Sequence, residues 1–518
     1  MKKLILPIVF SFTFFVYGVE EAPSTVELII PPIVVEFEDR LEQVMELKIP
    51  DYDDIILPDF ELSLPEPEDM TIDSIDFDLP LPDFVEYDYS ERSSFFSEGV
   101  LGIGNKNHLI GNISLFRLGQ GLRFSLVFAH DGIDGFGSNA AGMGYSSRKE
   151  TFEGDFRNGD ESFMINGSGS FLENEDGLQG QTPSYTSVIH RLSNINLGLS
   201  GSDIFSWEGN IGLKMAGKTL SGEIPALNEE LLFSLNSGIG WQKKWFGISL
   251  NGDYVHSRLS GYNNKNILNT DLELSFALNS LDLNLTGGLF LLPDLSLLYP
   301  FSVSIDGAFL EYLQYQSSAG YLVNNYLNYE TWIIYPFAEI SEGIDKGWFW
   351  DGKIIVSPFL YTELGFQWKY HNMDSYMSVD PELFNTSNGL FSVESIKGSY
   401  LYMSPFVKMT IPDSWNFLFG WNGQVLADKD KLEPVHSVYT EIGYNRDSYG
   451  FFILGSYSLE PFVKIPSLSL GINYTITDGV ILSLEGDDIL GFFAEDRTAL
   501  GSYIEEGGKI SLLTKISL

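Results

Sequence analysis

Residues of the types that usually carry catalysis or bind metals are sparse in this sequence and lack the spacing that such chemistry requires. The six His show neither paired metal-ligand spacing nor a charge-relay signature. Residues 131–137 lack the spacing and the closing Glu of a calcium-binding loop, which favours a glycine-rich surface loop. Gly102-Ile103-Gly104 lacks the third glycine of a dinucleotide-binding turn. We therefore expect no enzyme, cofactor or metal site, although a Ser, His and Asp that meet only in space would leave no such pattern.

The absence of Cys and the excess of acidic residues exclude further classes. The chain has no Cys, which removes disulfide frameworks, thiolate metal sites and Cys nucleophiles. Its 71 acidic and 30 basic residues give a formal net charge of -41. Affinity for nucleic acid comes mainly from clustered Lys and Arg, so nucleic acid is not an expected partner.

Polar residues with a regular spacing do occur, in stretches where they alternate with apolar residues. Asp271 and Glu273, for example, flank Leu272. Successive side chains of a strand point to opposite faces, so such a stretch has one polar and one apolar face. If the polar face lines a water-filled interior, its mainly acidic side chains would favour cations over anions. The lining candidates are Asp271, Glu273, Asp282, Asn284, Glu363, Gln367, Lys369 and Glu441.

The same alternation runs through the chain from about residue 93 and predicts antiparallel strands. Soluble sandwiches or solenoids and a single transmembrane barrel are the architectures that use such strands. The stretches are about 10 residues long, the length with which a tilted strand crosses a bilayer, and this favours the barrel. All but one of the 51 Gly lie at or beyond Gly99, where they permit bends in strands.

Aromatic residues gather at the predicted strand ends. This placement is typical of the aromatic girdle that a membrane barrel forms at the lipid–water interface. The interfacial candidates are Trp241, Trp245, Trp415, Tyr444 and Tyr449.

Short and long connections are expected to alternate along the chain, as in outer-membrane barrels with short periplasmic turns. Between 310 and 335 this assignment fails, because a long link falls on the short side. The predicted short links are 119–121, 158–160, 242–244, 412–414, 445–448 and 477–479. The predicted long links are 131–148, 172–187, 220–229, 258–270, 371–393 and 486–504.

The alternation continues to the last residue through Ile510, Leu512, Ile516 and Leu518, so the last strand can pair with the first. Closure removes the sheet edges, which in lipid would leave backbone groups unpaired. We therefore predict an all-β fold, a transmembrane antiparallel up-and-down β-barrel of about 22 strands (range about 18 to 24) over residues 93–518.

The N-terminus has the features of an export signal. Lys2 and Lys3 precede an apolar run over residues 4–16, and Val16-Tyr17-Gly18 suits cleavage after Gly18. The run is too short to span a bilayer as a helix, for which about 20 residues are needed. We expect a signal peptide over residues 1–18 and export to the outer membrane.

Residues 19–92 form a segment of different composition. From Glu20 to Arg92 there are 23 acidic and 3 basic residues, nine Pro and no Gly. Pro and acidic self-repulsion both extend a chain, which predicts an extended or disordered periplasmic extension. Its many apolar residues keep docking onto another surface open as an alternative.

The export signal, a short apolar segment with Glu, and a barrel of about 22 strands together resemble the TonB-dependent receptors. Ile33, Val34, Val35, Glu36 and Phe37 are similar to the box that this family presents to its periplasmic energiser. The stretch 482–490, followed by a loop and residues 501–518, resembles the last hairpin of the family. The resemblance implies strand addition between the box and a TonB-type energiser, assembly by the barrel-assembly machinery, and an unknown solute.

The sequence departs from the family at the plug. Only the 74 residues 19–92 separate the predicted cleavage site from Ser93, and they lack Gly and the pattern of a folded domain. The expected function is movement of a solute across the outer membrane by a receptor-like barrel without an ordinary plug. A passive porin, and a structural or protein-interaction protein of the outer membrane, are the alternatives.

Overall fold

The computed structural model describes residues 94–517, apart from 120, 136, 161, 223–225, 279, 311, 335, 340–342, 413, 428–435, 447, 459–465, 494–497 and 501–502. Twenty-two strands form one closed antiparallel barrel, as predicted. The first strands are β1 (Ser94–Gly104), β2 (Leu109–Leu118), β3 (Arg123–Asp134), β4 (Ser146–Gly159), β5 (Met164–Gly177), β6 (Tyr185–Ser202), β7 (Ser206–Gly222), β8 (Ala226–Lys243), β9 (Phe246–Leu259), β10 (Lys265–Leu278) and β11 (Leu281–Leu291). They are followed by β13 (Phe301–Leu310), β14 (Leu313–Tyr326), β15 (Gly343–Phe359), β16 (Thr362–Asn385), β17 (Leu390–Ile411), β18 (Trp415–Ala427), β19 (His436–Arg446), β20 (Tyr449–Ser458), β21 (Ser467–Thr477), β22 (Val480–Asp487) and β25 (Lys509–Ser517).

A few small elements lie in the connections. A two-residue strand, β12 (Leu297–Leu298), pairs with the end of β11. Helix α1 (Asn328–Ile334) follows β14, and a short 3-10 helix (Ile489–Phe492) follows β22. β23 (Thr498–Leu500) and β24 (Tyr503–Ile504) pair only with each other.

The barrel closes through its first and last strands. β1 pairs with β2 on one side and with β25 on the other, where Ile103 lies opposite Leu512 and Gly99 opposite Ile516. Closure pairs every strand of the wall on both sides, so the wall has no free edge. The predicted pairing of the C-terminal stretch with the first strand is therefore confirmed.

One end of the barrel carries only tight connections of two to four residues. The turn from β21 to β22 consists of Asp478 and Gly479, and Gly479 has a φ of 89°. A positive φ is costly for residues with a Cβ, which explains why an Asp-Gly pair occupies this turn.

At the other end the strands run further than the sequence predicts. The predicted links 172–187 and 220–229 shrink to 178–184 and 223–225, and β16 reaches 24 residues. There the outward side chains become charged while the strands stay paired: Arg148 and Arg191 contact Glu173 at 3.1 and 2.6 Å. The apolar–polar alternation ends where the charged side chains begin, so it marked only part of each strand.

The structure also explains the region 310–335, where the predicted alternation of short and long links failed. β13 and β14 are joined by the short turn 311–312, and the long connection is the link 327–342, on the same side as the other long links. The sequence-based assignment failed because it did not count β14, whose polar residues Gln314, Gln316, Asn324 and Asn325 weaken its apolar alternation.

Candidate functional site

Contacts between distant strands identify the inner face of the wall. Val188 on β6 and Phe391 on β17 are both fully buried in one cluster, although nine strands of the wall lie between them on the shorter way around the barrel. Such strands can share a cluster only across the interior. The opposite face carries exposed apolar side chains, including Leu101, Ile113, Leu197, Ile211, Phe419 and Ile472.

Four of the predicted lining residues lie on the inner face of neighbouring strands. Asp271 and Glu273 on β10 accept hydrogen bonds from Asn251 Nδ2 (2.9 Å) and Ser249 Oγ (3.4 Å) of β9. Asp282 and Asn284 lie on the same face of β11, since Asn284 is opposite Ser275 in the ladder. This part of the wall is acidic.

The other four lining candidates lie on strands further around the barrel. Glu363, Gln367 and Lys369 share one face of β16, and Lys408 Nζ of β17 lies 3.9 Å from Glu363. Glu441 on β19 lies opposite Leu418 and Leu454. The eight residues are therefore spread around the wall and do not form a single site.

The five predicted interfacial aromatics lie at the end with the tight turns. Trp415 packs on Tyr444 with ring centroids 4.8 Å apart, and Tyr444 contacts Tyr449 at 5.8 Å. Trp241 lies two residues before the end of β8, and Trp245 is 57% exposed in the following turn. The predicted box, Ile33 to Phe37, lies outside the described residues, as do the signal peptide and the acidic extension.

The described residues of the link 327–342 fold into the barrel, where α1 buries Asn328, Thr331 and Trp332. Trp332 is 1% exposed and packs with Leu192 and Ala216 of β6 and β7. Further along, Ala338 forms a bridge to Phe391 on β17. The link thus extends from β14 across the interior to strands on other sides of the wall.

Polar contacts fix the link to the wall. Glu230 on β8 accepts hydrogen bonds from the Tyr329 backbone N–H and from Ser257 Oγ, both at 2.9 Å. Lys214 Nζ lies 3.0 Å from Glu330 Oε1.

A second Lys holds the far part of the link. Lys218 Nζ donates to the Ala338 carbonyl and lies 5.2 Å from the Trp332 ring centroid. Beyond it, Glu339 Oε1 accepts from the amides of Asn385 (2.9 Å) and Asn388 (2.8 Å). The link is therefore held to the wall from Tyr329 to Glu339, and these residues obstruct the interior.

A second layer lies over the link at the end with the long connections. The Tyr503 ring stacks on Phe337 at 4.2 Å, and its hydroxyl donates to the Gly389 carbonyl at 2.6 Å. Burial raises the pKa of Tyr503 well above its usual range, which keeps the hydroxyl protonated as a donor. Gln179 exchanges hydrogen bonds with the Ile504 backbone at 3.0 and 2.8 Å. Four links, 178–184, 327–342, 386–389 and 488–508, therefore meet in the interior.

Below the link lies a chamber of about 700 Å³. Its lining combines apolar side chains such as Leu232, Ile267 and Phe290 with several Asn, Lys214 and Glu330. Within the described residues, no group of three or more His, Asp and Glu is placed to hold a metal ion. None of the described helices is long and apolar enough to cross a membrane.

The sequence did not reveal the residues that build this interior. Lys214, Lys218 and Glu230 alternate with apolar residues in their strands, and this local pattern does not distinguish them from other polar residues that face the interior. One feature of the sequence could have indicated them. The region 310–335, which the predicted strands did not explain, contains Trp332, a large apolar residue outside any predicted strand.

No family model matches the sequence, and none of the curated proteins matches it. Solved structures match its fold. The siderophore receptor PirA from Acinetobacter baumannii has a TM-score of 0.64 at 8% identity, with 82% of this chain and 80% of that chain covered. A double mutant of the ferric enterobactin receptor PfeA from Pseudomonas aeruginosa has a TM-score of 0.63 at 9% identity, covering 82% and 81%. The iron transporter FrpB from Neisseria meningitidis has 0.63 at 10%, covering 82% of each chain. The barrel is thus similar to those of known iron and siderophore receptors, and the expected resemblance to a TonB-dependent-receptor-like barrel is confirmed for the fold.

Proposed function

We propose that this protein is an outer-membrane barrel through which a solute crosses, gated by its own inward-folded links. The observation that carries the proposal is a closed 22-strand wall with an apolar outer face and a polar inner face. Barrels of this size have a lumen that their wall side chains cannot fill. The similar structures include receptors and transporters for iron and siderophores, which supports transport as the function.

The links in the interior favour a gated path over a steadily open porin. Trp332 and Tyr503 are each 1% exposed, and both lie on connections that cross the lumen. Conduction then requires that these connections move, because their buried side chains occupy the path of a hydrated solute.

The N-terminal part has a proposed role in this gating or in its energising. After removal of residues 1–18, the extension 19–92 would lie in the periplasm. Ile33 to Phe37 would add as a strand to a TonB-type energiser, a mode in which main-chain hydrogen bonds supply affinity. The membrane partners are outer-membrane lipid and, during insertion, the barrel-assembly machinery.

Single-channel recording in planar bilayers tests the proposal, with the mature chain compared with a chain that starts at Ser93. We expect both to be closed for most of the time, because the links that obstruct the lumen lie within 178–508. Steady and equal conductance of both would establish a passive porin. Liposomes that stay impermeable even after the links are shortened would instead favour a structural or protein-interaction role.

A further inference from the structure

A row of primary amides crosses the inner wall on six consecutive strands. The row passes through the chamber below the link 327–342 and continues towards the tight turns. We refer to it as the amide band, which consists of Asn166 on β5, Asn196 on β6, Asn210 on β7, Asn236 on β8, Asn251 on β9 and Asn269 on β10.

Glycines in the neighbouring strands make room for these amides. A Cβ on Gly198 would collide with the side-chain oxygens of Asn166 and Asn210. A Cβ on Gly212 would likewise collide with Asn196. The amides therefore lie flat against the wall over positions without side chains. The band is a consequence of paired Asn and Gly positions on separate strands.

The wall uses part of the hydrogen-bonding capacity of the band, since Asn251 Nδ2 donates to Asp271 at 2.9 Å and Asn196 Nδ2 donates to Asn194 at 3.1 Å. Each primary amide offers two N–H donors and one acceptor oxygen. Asn269 Oδ1 is buried and has no hydrogen-bond partner among the described residues. Leaving such an acceptor unpaired is costly, so a ligand that donates to it gains affinity.

The charge of the chamber does not favour an anionic ligand. Lys214 is the cation in its lining, and its ammonium lies 3.0 Å from Glu330 and 4.9 Å from the Tyr329 ring centroid. Its charge is therefore already balanced by Glu330, and Asp253 adds a negative charge to the same lining. The apolar side chains of Leu232 and Phe290 lie on the same lining and suit the C–H faces of a ring.

We propose that the chamber binds a neutral oligosaccharide. Neighbouring sugar hydroxyls both donate and accept, which matches the mixture of amide donors and acceptors on the chamber lining, and the apolar side chains cover the faces of the rings. This inference rests on the proposed transport function, for which it names the solute class. Binding can nevertheless be measured without any transport.

Isothermal titration of the full mature chain in detergent tests the proposal. The probes are maltotriose, cellotriose and xylotriose, with trigalacturonate as a charged comparator. At least one neutral probe is expected to bind about tenfold or more tighter than trigalacturonate. Asn210→Leu and Asn236→Leu should each weaken that binding about tenfold, the effect of losing roughly one hydrogen bond from a buried amide.

Two further variants separate binding from folding. Asn473→Leu, on the inner face of β21 outside the chamber, is the matched control and should leave affinity unchanged. Asn210→Asp keeps the shape but removes the N–H donors, so it should also weaken binding if the barrel stays folded. The proposal is overturned if no neutral probe binds, or if binding is unaffected by the chamber variants. The titration measures sugar binding without transport, and conductance measures transport without sugar. Failure of sugar binding can therefore be distinguished from failure of transport.

Discussion

Trp332 is the residue on which docking of the link depends most. It is 1% exposed, packs on Leu192 and Ala216, and lies beside the Lys218 ammonium. Trp332→Ala removes a buried ring, a change that typically costs about 3–5 kcal/mol. The strands of the wall pair with one another without the link. We therefore expect the substitution to destabilise docking of the link and not the barrel itself. Amide hydrogen exchange should accelerate within 327–339 while the barrel strands stay protected. Trp245→Ala, in an exposed turn, is the control, and equal exchange in both variants would contradict the assignment.

The link 327–342 is an element that can be removed without breaking the wall. Tyr326 lies opposite Gly343, so β14 and β15 are already adjacent where the link leaves them. Replacing residues 328–339 by a short Gly-Ser turn should therefore keep the barrel and increase its conductance. Recording in planar bilayers measures the change. Replacement of the exposed link 260–264 serves as control and should leave conductance as it is. A barrel that stays closed after the first replacement would show that the other three links suffice to obstruct it.

At the scale of the whole molecule, the charge of the lumen sets ion selectivity. Asp271, Glu273 and Asp282 line one wall, while Lys369 and Lys408 lie on another. Since acidic residues predominate in the chain, the opened barrel should prefer cations. Reversal potentials in a salt gradient, recorded on the link-shortened variant, measure this preference. Asp271→Asn combined with Glu273→Gln should reduce it, and anion preference in the parent barrel would refute the expectation.

The pattern of residues along the chain was enough to predict the wall of the barrel. Strand alternation such as that of Leu272 and Leu274 against Asp271 and Glu273 predicted a single barrel of about 22 strands, and the last strand was expected to meet the first. This is possible because the alternation of apolar and polar side chains along a strand is a local property, repeated in every strand. The same local signal ended where outward residues such as Arg148 become charged, so strand lengths were underestimated.

The contents of the interior could be identified only from the three-dimensional arrangement of the strands and links. Trp332, Lys218 and Phe391 come together from a link and from strands on different sides of the barrel, and no local pattern connects them. The amide band likewise depends on strand register, because Gly198 makes room for Asn166 and Asn210 only when three strands are aligned. Each strand carries its own alternation of apolar and polar residues, so the wall can be predicted from local sequence. Contacts across the lumen join residues far apart in the chain and form only when the whole barrel has closed.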